Sequence, residues 1–390
     1  MPALEEVKKI LAKLISFDTT SRLSNLALIE YIQQYLNSFN IKSTLVFNTA
    51  KNKANLYASI GPDKEGGIVL SGHTDVVPVD GQEWNSDPFL MTENDGLLFG
   101  RGTSDMKGFI AVVLAMIPSL VSMPLKRPVH LSFTYDEEVG CIGVHSLVHS
   151  LQKHIKKPAF AVIGEPTEMR IIHAHKGIHS YCTTITGHEA HSSAVHKGVN
   201  AVAIAAELIA FLNRKQKECM VKQASDPVAS QFDPPYSTIH VGTIQGGTAR
   251  NIIPKHCTFF WEIRSVPNDH PEEIFEEFSA LCQSFIPDMQ KISSKAGIST
   301  ESLAVVPGLQ KNQDSAIENV LLAISGQNRT ETVSFGTEAG IFQQEGGIPA
   351  IVCGPGSIMQ AHKPNEFIEI FQLERAISFF SQLLAHQCSH

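Results

Sequence analysis

His73 and Asp75 lie two residues apart where the apolar run Gly67-Ile68-Val69-Leu70 gives way to Ser71-Gly72-His73-Thr74-Asp75-Val76-Val77-Pro78. On a strand, positions i and i+2 face the same side, so the imidazole and the carboxylate can share one small volume. A buried strand that releases a His and an Asp from its C-terminal end is one way to begin a metal site. Surface turns carry the same pattern, so the pair gains meaning only from what the rest of the chain adds. Asp105 follows in Gly100-Arg101-Gly102-Thr103-Ser104-Asp105-Met106-Lys107-Gly108, and Glu137 and Glu138 follow the apolar stretch 129–135. Glu165 comes after 159–163, and His362 lies in Ala361-His362-Lys363-Pro364-Asn365-Glu366, beyond Gly354-Pro355-Gly356.

Two divalent ions about 3.5–4 Å apart need a bridging carboxylate, further carboxylate or imidazole ligands, and open positions for water and substrate. Asp105, Glu137, Glu138, Glu165, His73 and His362 are candidates of the right types. No thiolate pattern accompanies them, so nitrogen and oxygen ligation is expected and zinc is the leading metal. Adjacent glutamates do not readily take one direction from one backbone. One of the pair 137–138 can bind metal while the other turns to the water, as a general base must. A solvated acidic turn would have the same sequence.

Helical spacing of apolar residues predicts helices over 3–15 and 24–39, and strands follow at 44–47, 56–60 and 67–72. A helix is expected over 109–121, then strands at 129–135 and 159–163. Alternating strands and helices imply an α/β sheet, in which ligands collect beyond the carboxyl ends of the strands. Near Gly177 the pattern changes to strand 178–186, helix 199–213, strands 237–244 and 257–264, helix 270–285 and a further strand around 288–294. This order is the split βαβ arrangement of a small inserted domain. The polar, Pro-containing stretch 223–236 reads as a surface loop within it. The α/β pattern returns with helices 315–325 and 338–345, strand 349–353 and helix 370–385. The expected organisation is a discontinuous catalytic domain, 1–177 and 297–390, around an insert at 178–296.

The 390 residues carry a net charge of −8 without any basic block, which argues against nucleic acid and anionic membrane as partners. The opening Met1-Pro2-Ala3-Leu4-Glu5-Glu6 lacks the basic and apolar regions of a signal peptide, and no run reads as a membrane span. Seven cysteines, none in Cys-x-x-Cys spacing, suggest reduced thiols in a cytoplasmic protein.

The stretches Ser71–Pro78, Gly100–Gly108, Asp136–Gly140, Gly164–Thr167, Gly187–Asn200 and Gly354–Glu366 together resemble the dinuclear zinc deacylase and exopeptidase family. That family contains acetylornithine deacetylases, succinyl-diaminopimelate desuccinylases, aminoacylases and glutamate carboxypeptidases. The acetylornithine deacetylase branch is the most similar, through Ser334-Phe335-Gly336-Thr337-Glu338-Ala339-Gly340 and Gly354-Pro355-Gly356 leading to Gln360-Ala361-His362-Lys363-Pro364. The resemblance implies a mixed-sheet, zinc-exopeptidase-like catalytic domain with an inserted α+β, ferredoxin-like lid and dimerisation domain. It makes His73, Asp105 and Glu165 the ligands of one Zn2+ and Asp105, Glu138 and His362 those of a second, with Co2+ as a possible substitute. Asp75 would orient His73, Glu137 would be the general base, and a cis peptide is expected between Asp105 and Met106.

His191, in Gly187-His188-Glu189-Ala190-His191-Ser192-Ser193, matches the family's oxyanion donor, lent across a homodimer interface whose sheet edge is expected at about 199–244. Many relatives have a proline soon after the two serines. Here Ala194-Val195-His196 follows, which leaves His196 as a rival. Arg264 and Asn251 match positions that meet the α-carboxylate of an N-acyl amino acid, a task suited to the planar guanidinium fork. Gly354, Gly356 and Glu338 are further substrate-binding candidates, though the two glycines would look the same in a plain turn. The activity implied is hydrolysis of N2-acetyl-L-ornithine, or of another acyl amino acid or succinyl-diaminopimelate on the same scaffold. A non-catalytic metal-binding homologue is a distant alternative. A serine or cysteine hydrolase lacks the nucleophile-elbow pattern.

Overall fold

Four of the apolar runs become parallel neighbours at the centre of an eight-stranded mixed sheet. In the computed structural model, which describes residues 2–222, 227–314 and 316–389, these are Val129–Thr134, Ile68–His73, Phe160–Pro166 and Ala350–Gly354. The full order is Ser43–Phe47, Ala54–Ile60, Val129–Thr134, Ile68–His73, Phe160–Pro166, Ala350–Gly354, Ile172–His175 and Glu331–Val333. Every residue of the four central strands is buried, as expected of parallel strands covered on both faces. Being parallel, they deliver their carboxyl ends to one edge.

Among the helices of this unit, Gly108–Ala115 is buried on all sides. Phe109 meets Phe380 of helix Ile370–Ser389 edge to face, with ring centroids 5.5 Å apart. Helices Leu4–Ile15 and Leu26–Asn37 bury apolar stripes in the same core. Contrary to the sequence expectation, one helical stretch, Thr103–Leu120, is apolar and long enough to cross a membrane. It is 89 % buried inside the fold and is a core segment. A helix that is apolar on every side needs such surroundings. The expected helix 109–121 is interrupted, with a second short helix at Ile117–Leu120.

A three-stranded antiparallel sheet joins Phe367–Glu369, Leu97–Phe99 and Thr92–Asn94, pairing Phe367 with Phe99. It brings the chain that follows His362 beside the chain that precedes Asp105. The turn Thr103–Lys107 leaves helical geometry at Asp105 and Met106, and the peptide between them is cis.

The chain separates into two compact units: Met1–Ala174 with Leu309–Thr332 and Thr337–His390, and His175–Gly308 with Val333–Gly336. The second unit runs in β-α-β-β-α-β order around an antiparallel sheet. Its strands lie in the sequence Thr238–Gly246, His256–Ser265, Gly177–Thr186, Gly297–Val306. Strand Gly177–Thr186 alternates buried and half-buried residues, the period-two signature of a sheet with one covered face. Tyr181, Trp261 and Phe275 stack in its core, with centroids 4.4 and 4.7 Å from Tyr181.

The last strand is Gly297–Val306, not 288–294. Residues 288–292 continue the helix Pro271–Ile292, because Cys282 and Met289 keep its buried stripe going through Pro287. The true strand pairs with Gly177–Thr186, so the second unit extends past residue 296. Of the expected loop 223–236, residues 223–226 lie outside the described residues. The remainder is anchored: Phe232 is buried, and Lys176 Nζ donates to the carbonyls of Pro234 and Tyr236 at 2.7 and 2.8 Å.

Candidate metal centre

The carboxyl ends of the parallel strands place His73, the 136–138 turn and Glu165 together, and the Thr103–Lys107 turn adds Asp105. His73 Nδ1 meets the backbone carbonyl of Asp75 at 2.9 Å, leaving Nε2 facing Asp105 Oδ1 at 3.0 Å and Glu165 Oε2 at 3.9 Å. His362, at positive φ in its loop, brings Nε2 to 2.9 Å from Glu138 Oε2 and 3.4 Å from Asp105 Oδ2. Asp105 therefore has one carboxylate oxygen toward each histidine. By mutual distance alone, donor atoms of His73, Asp105 and Glu138 lie within 4.8 Å of one another, as do those of His73, Glu137 and Glu165. That grouping places Glu137 beside the other donor atoms. His73 and His362 thus meet opposite oxygens of Asp105, and Glu138 lies with His362.

Asp75, expected to orient His73, meets its Nδ1 chiefly through the main chain. The carboxylate is 3.7 Å from Nδ1, and the backbone carbonyl makes the closer contact. The carboxylate instead accepts from the backbone N–H groups of Glu137 and Glu138 at 3.1 and 3.2 Å and from Ser21 Oγ at 2.7 Å. It fixes the turn carrying both glutamates. Ser21 had no signal in the sequence, since its role depends on an N-terminal segment folding back onto the strand end. Thr20 forms a bridge with Val76 that holds the segment there.

Electrostatically the cluster is under-neutralised. Burial pushes the Glu137 and Glu165 carboxyls well above the usual carboxylate range, and neighbouring acids add to the rise against the pull of His73. Burial and Asp105 push Glu138 up to about 7. Burial would also raise Asp105, but hydrogen bonds from His362 and His73 hold it below its usual range. His362 is raised to about 10 by hydrogen bonds to Asp105 and Glu138. Burial alone would lower His73; its bond to Asp105 and the charges of Glu165 and Glu137 instead raise it well above its ordinary value. Buried carboxylates crowded like this favour positive charge among them. Glu165 Oε1, buried and without a hydrogen-bond partner among the described residues, is an unengaged ligand atom in the cluster. Imidazole and carboxylate donors with no thiolate fit divalent cations such as zinc.

Glu338 is buried behind these residues and pushed up to about 7 by that burial. Thr134 lies near enough to oppose the rise, yet no well-formed hydrogen bond reaches either carboxylate oxygen among the described residues. Gly354 and Gly356 are both buried, and packing accounts for them. A Cβ on Gly354 would sit 2.0 Å from the Gly164 carbonyl oxygen, and one on Gly356, at φ 91°, would sit 2.4 Å from Ser104 Oγ. Cys141 Sγ, 3.4 Å from Glu137 Oε1, is another neighbour that sequence reading passed over.

The second unit gathers His191 and Asn251. His191 bridges Ile252, and Ser192 N–H donates to the Asn251 carbonyl at 3.0 Å. His191 is exposed, its Nδ1 2.7 Å from Ser193 Oγ; His188 and His196 are exposed too. Arg264 is half-buried and makes two bonds of 3.0 Å to Glu262 on its own strand. His173, His175 and His179 are all buried.

Residues 69–386 match the sequence profile of Peptidase family M20/M25/M40. The chain belongs to this family. An acetylornithine deacetylase from Pasteurella multocida is 35 % identical over 94 % of this chain and 92 % of its own length. One from Photorhabdus laumondii is 34 % identical over 99 % and 97 %. Among solved structures, an M20 family metallo-carboxypeptidase from Sulfolobus solfataricus is similar at a TM-score of 0.77 and 20 % identity, covering 99 % of this chain and 100 % of that one. A dinuclear metal-binding M20 peptidase from Bacillus subtilis gives 0.61 at 14 % identity, covering 99 % and 98 %. Family membership makes the chain a metal-dependent amide hydrolase on the zinc-exopeptidase-like α/β fold expected from sequence.

Proposed function

We propose that the chain hydrolyses N2-acetyl-L-ornithine to L-ornithine and acetate, a reaction of arginine biosynthesis, as a cytoplasmic homodimer. The observation that carries the hydrolytic reading is the pair of donor sets sharing Asp105, with Glu137 beside them. The choice of acyl amino acid is supported by the similarity to acetylornithine deacetylases over most of the chain.

His73, Asp105 and Glu165 would hold one cation, and Asp105, Glu138 and His362 the other. Held there, a pair of Zn2+ ions, or Co2+ in their place, would lower the pKa of a water and polarise the amide carbonyl. Glu137 takes the proton of the attacking water and returns it to the departing amine nitrogen. Asp75 serves both sides, its carbonyl aiming His73 and its carboxylate anchoring the 137–138 turn. His191, supplied by the partner subunit, donates to the developing oxyanion. Arg264 and Asn251 receive the α-carboxylate, Arg264 exchanging Glu262 for it. Glu338, Gly354 and Gly356 would complete the substrate site, Glu338 from its buried place near Glu137 and the glycines through their close packing.

The deciding experiment is a comparison of hydrolysis rates on acetylornithine, other acetyl amino acids and succinyl-diaminopimelate, using purified protein loaded with zinc or cobalt. A preference for acetylornithine in kcat/KM is expected. Preference for another acyl amino acid would move the substrate and keep the mechanism, and no hydrolysis of any of them would overturn both.

A further inference from the structure

Glu366 is 1 % exposed and lies four residues beyond His362, yet its carboxylate serves the loop of another ligand. Oε1 accepts the backbone N–H groups of Ser104 and Asp105 at 2.9 and 3.1 Å. Oε2 accepts the N–H of Gly102 at 3.0 Å and Arg101 Nη1 at 2.8 Å. The register comes from the three-stranded sheet, where Phe367 pairs with Phe99 and Gly100 N–H donates to the Glu366 carbonyl at 2.9 Å.

The same network reaches back to the His362 loop. Arg101, also 1 % exposed, donates through Nη1 to the Lys363 carbonyl at 3.3 Å and through Nη2 to Gln82 Oε1 at 2.5 Å. Gln82 Nε2 in turn donates to the His362 carbonyl at 3.0 Å, and Trp84 lies under the Arg101 guanidinium with its centroid 5.1 Å away. His362 and Asn365 hold positive φ values of 63° and 57°, a conformation uncommon for non-glycine residues though less so for His and Asn. Asn85 N–H contributes by donating to Asn365 Oδ1 at 2.8 Å.

We propose that Glu366 is a positioning residue that couples the Asp105 turn to the His362 loop and so sets the affinity of the cation held by Asp105, Glu138 and His362, a role that rests on the two-cation reading of the site. An ionised carboxylate offers only acceptors and meets four converging donors. An amide in its place would turn an NH2 group toward N–H groups. His73 and Glu165 take their places from the parallel sheet, so the cation they share depends less on this clasp. Residues that orient ligands in this way typically change metal affinity about 10–100-fold when replaced.

The test is calorimetric titration of metal-free full-length protein with Zn2+ alone, comparing the wild type with E366Q and Q82A and checking folding by circular dichroism. The wild type should take up two equivalents. E366Q should weaken one of them about 10–100-fold and the other, which shares Asp105, by clearly less; Q82A should weaken the first by less than E366Q does. Two equivalents bound as tightly in a folded E366Q as in the wild type would overturn the role, and so would equal loss of both. Should E366Q not fold, Q82A decides: selective weakening supports the coupling, and unchanged binding overturns it. A wild type that holds one equivalent or none would fell the two-cation reading, and this role with it.

Discussion

The strand ends of the first unit and the 187–200 loop of the second both present histidines to which the proposed mechanism gives a role, under opposite physical conditions. His73 is buried, aimed by a carbonyl and raised by surrounding carboxylates. His191 is exposed and bonded to a serine of its own loop. A buried cluster of ionisable groups must be ordered by its own unit, because each unpartnered charge there costs several kcal/mol. An exposed donor has no such requirement, and its role can be completed by whatever binds. In the proposed mechanism, metal ligation thus belongs to the fold, whereas oxyanion and carboxylate recognition belong to assembly and substrate binding.

The sharpest way to break this contrast is E137Q. The amide is nearly isosteric and cannot accept the water's proton, so kcat should fall about 10²–10⁴-fold. Metal content by elemental analysis should stay near that of the wild type, since Glu137 is assigned no cation. Loss of metal, or near-normal turnover, would show that the roles of Glu137 and Glu138 are misassigned.

H191A should come next, with kcat lowered about 10²–10³-fold and metal content unchanged, as for removal of one oxyanion donor. If His191 serves the partner's site, inactive H191A and E137Q chains should complement when mixed. Half of randomly formed dimers are mixed with one intact site each, so about a quarter of wild-type activity should return. No recovery despite demonstrated subunit exchange would return His191 to its own subunit's site or remove it from catalysis.

A smaller effect is expected at Arg264. Its two bonds to Glu262 must be exchanged for the substrate carboxylate. R264M should therefore raise KM about 10–100-fold, the usual range for a charge-assisted hydrogen bond, with little change in kcat. A fall confined to kcat would place Arg264 on the reacting atoms instead.

How much of this was legible in the sequence follows the same division. The strands ending at His73 and Glu165 were visible because strands buried on both faces are continuous apolar runs. Asp105 and His362 stand in loops with no periodicity, and only family resemblance paired them. Asp75 was recognised as a supporting residue, but not that its carboxylate holds the 137–138 turn, since backbone donors have no residue type to read. Glu366 was hidden for much the same reason, three of its four donors being backbone N–H groups brought near by the register of a short sheet. Residues 288–292 misled because a helix running through Pro287 contradicts the usual rule for that residue. The stripe of Cys282 and Met289 outweighs it.

The least effect is expected from a histidine of the same sheet that has no part in the site. His130 is buried in strand Val129–Thr134 with Ser59 Oγ 2.8 Å from Nδ1, and burial lowers its pKa to about 4 against a weak opposing influence of Asp63. Its Nε2 is buried with no hydrogen-bond partner among the described residues, so no acceptor there compensates the charged ring. An unfolded histidine titrates near 6.5. Between that value and about 4 the unfolded chain takes up a proton that the folded chain refuses. Stability is therefore unaffected above the unfolded value and declines as pH falls toward the folded one. From pH 7 to pH 5 this one group should cost about 1–2 kcal/mol. Urea midpoints at the two pH values, measured for the wild type and H130N, isolate the contribution because all other titrating groups are shared. The asparagine can keep the bond to Ser59 without titrating, so its midpoint should fall less on acidification. Equal falls in both proteins would mean that His130 accepts its proton without unfolding, and that burial alone does not separate the silent histidine of this sheet from His73.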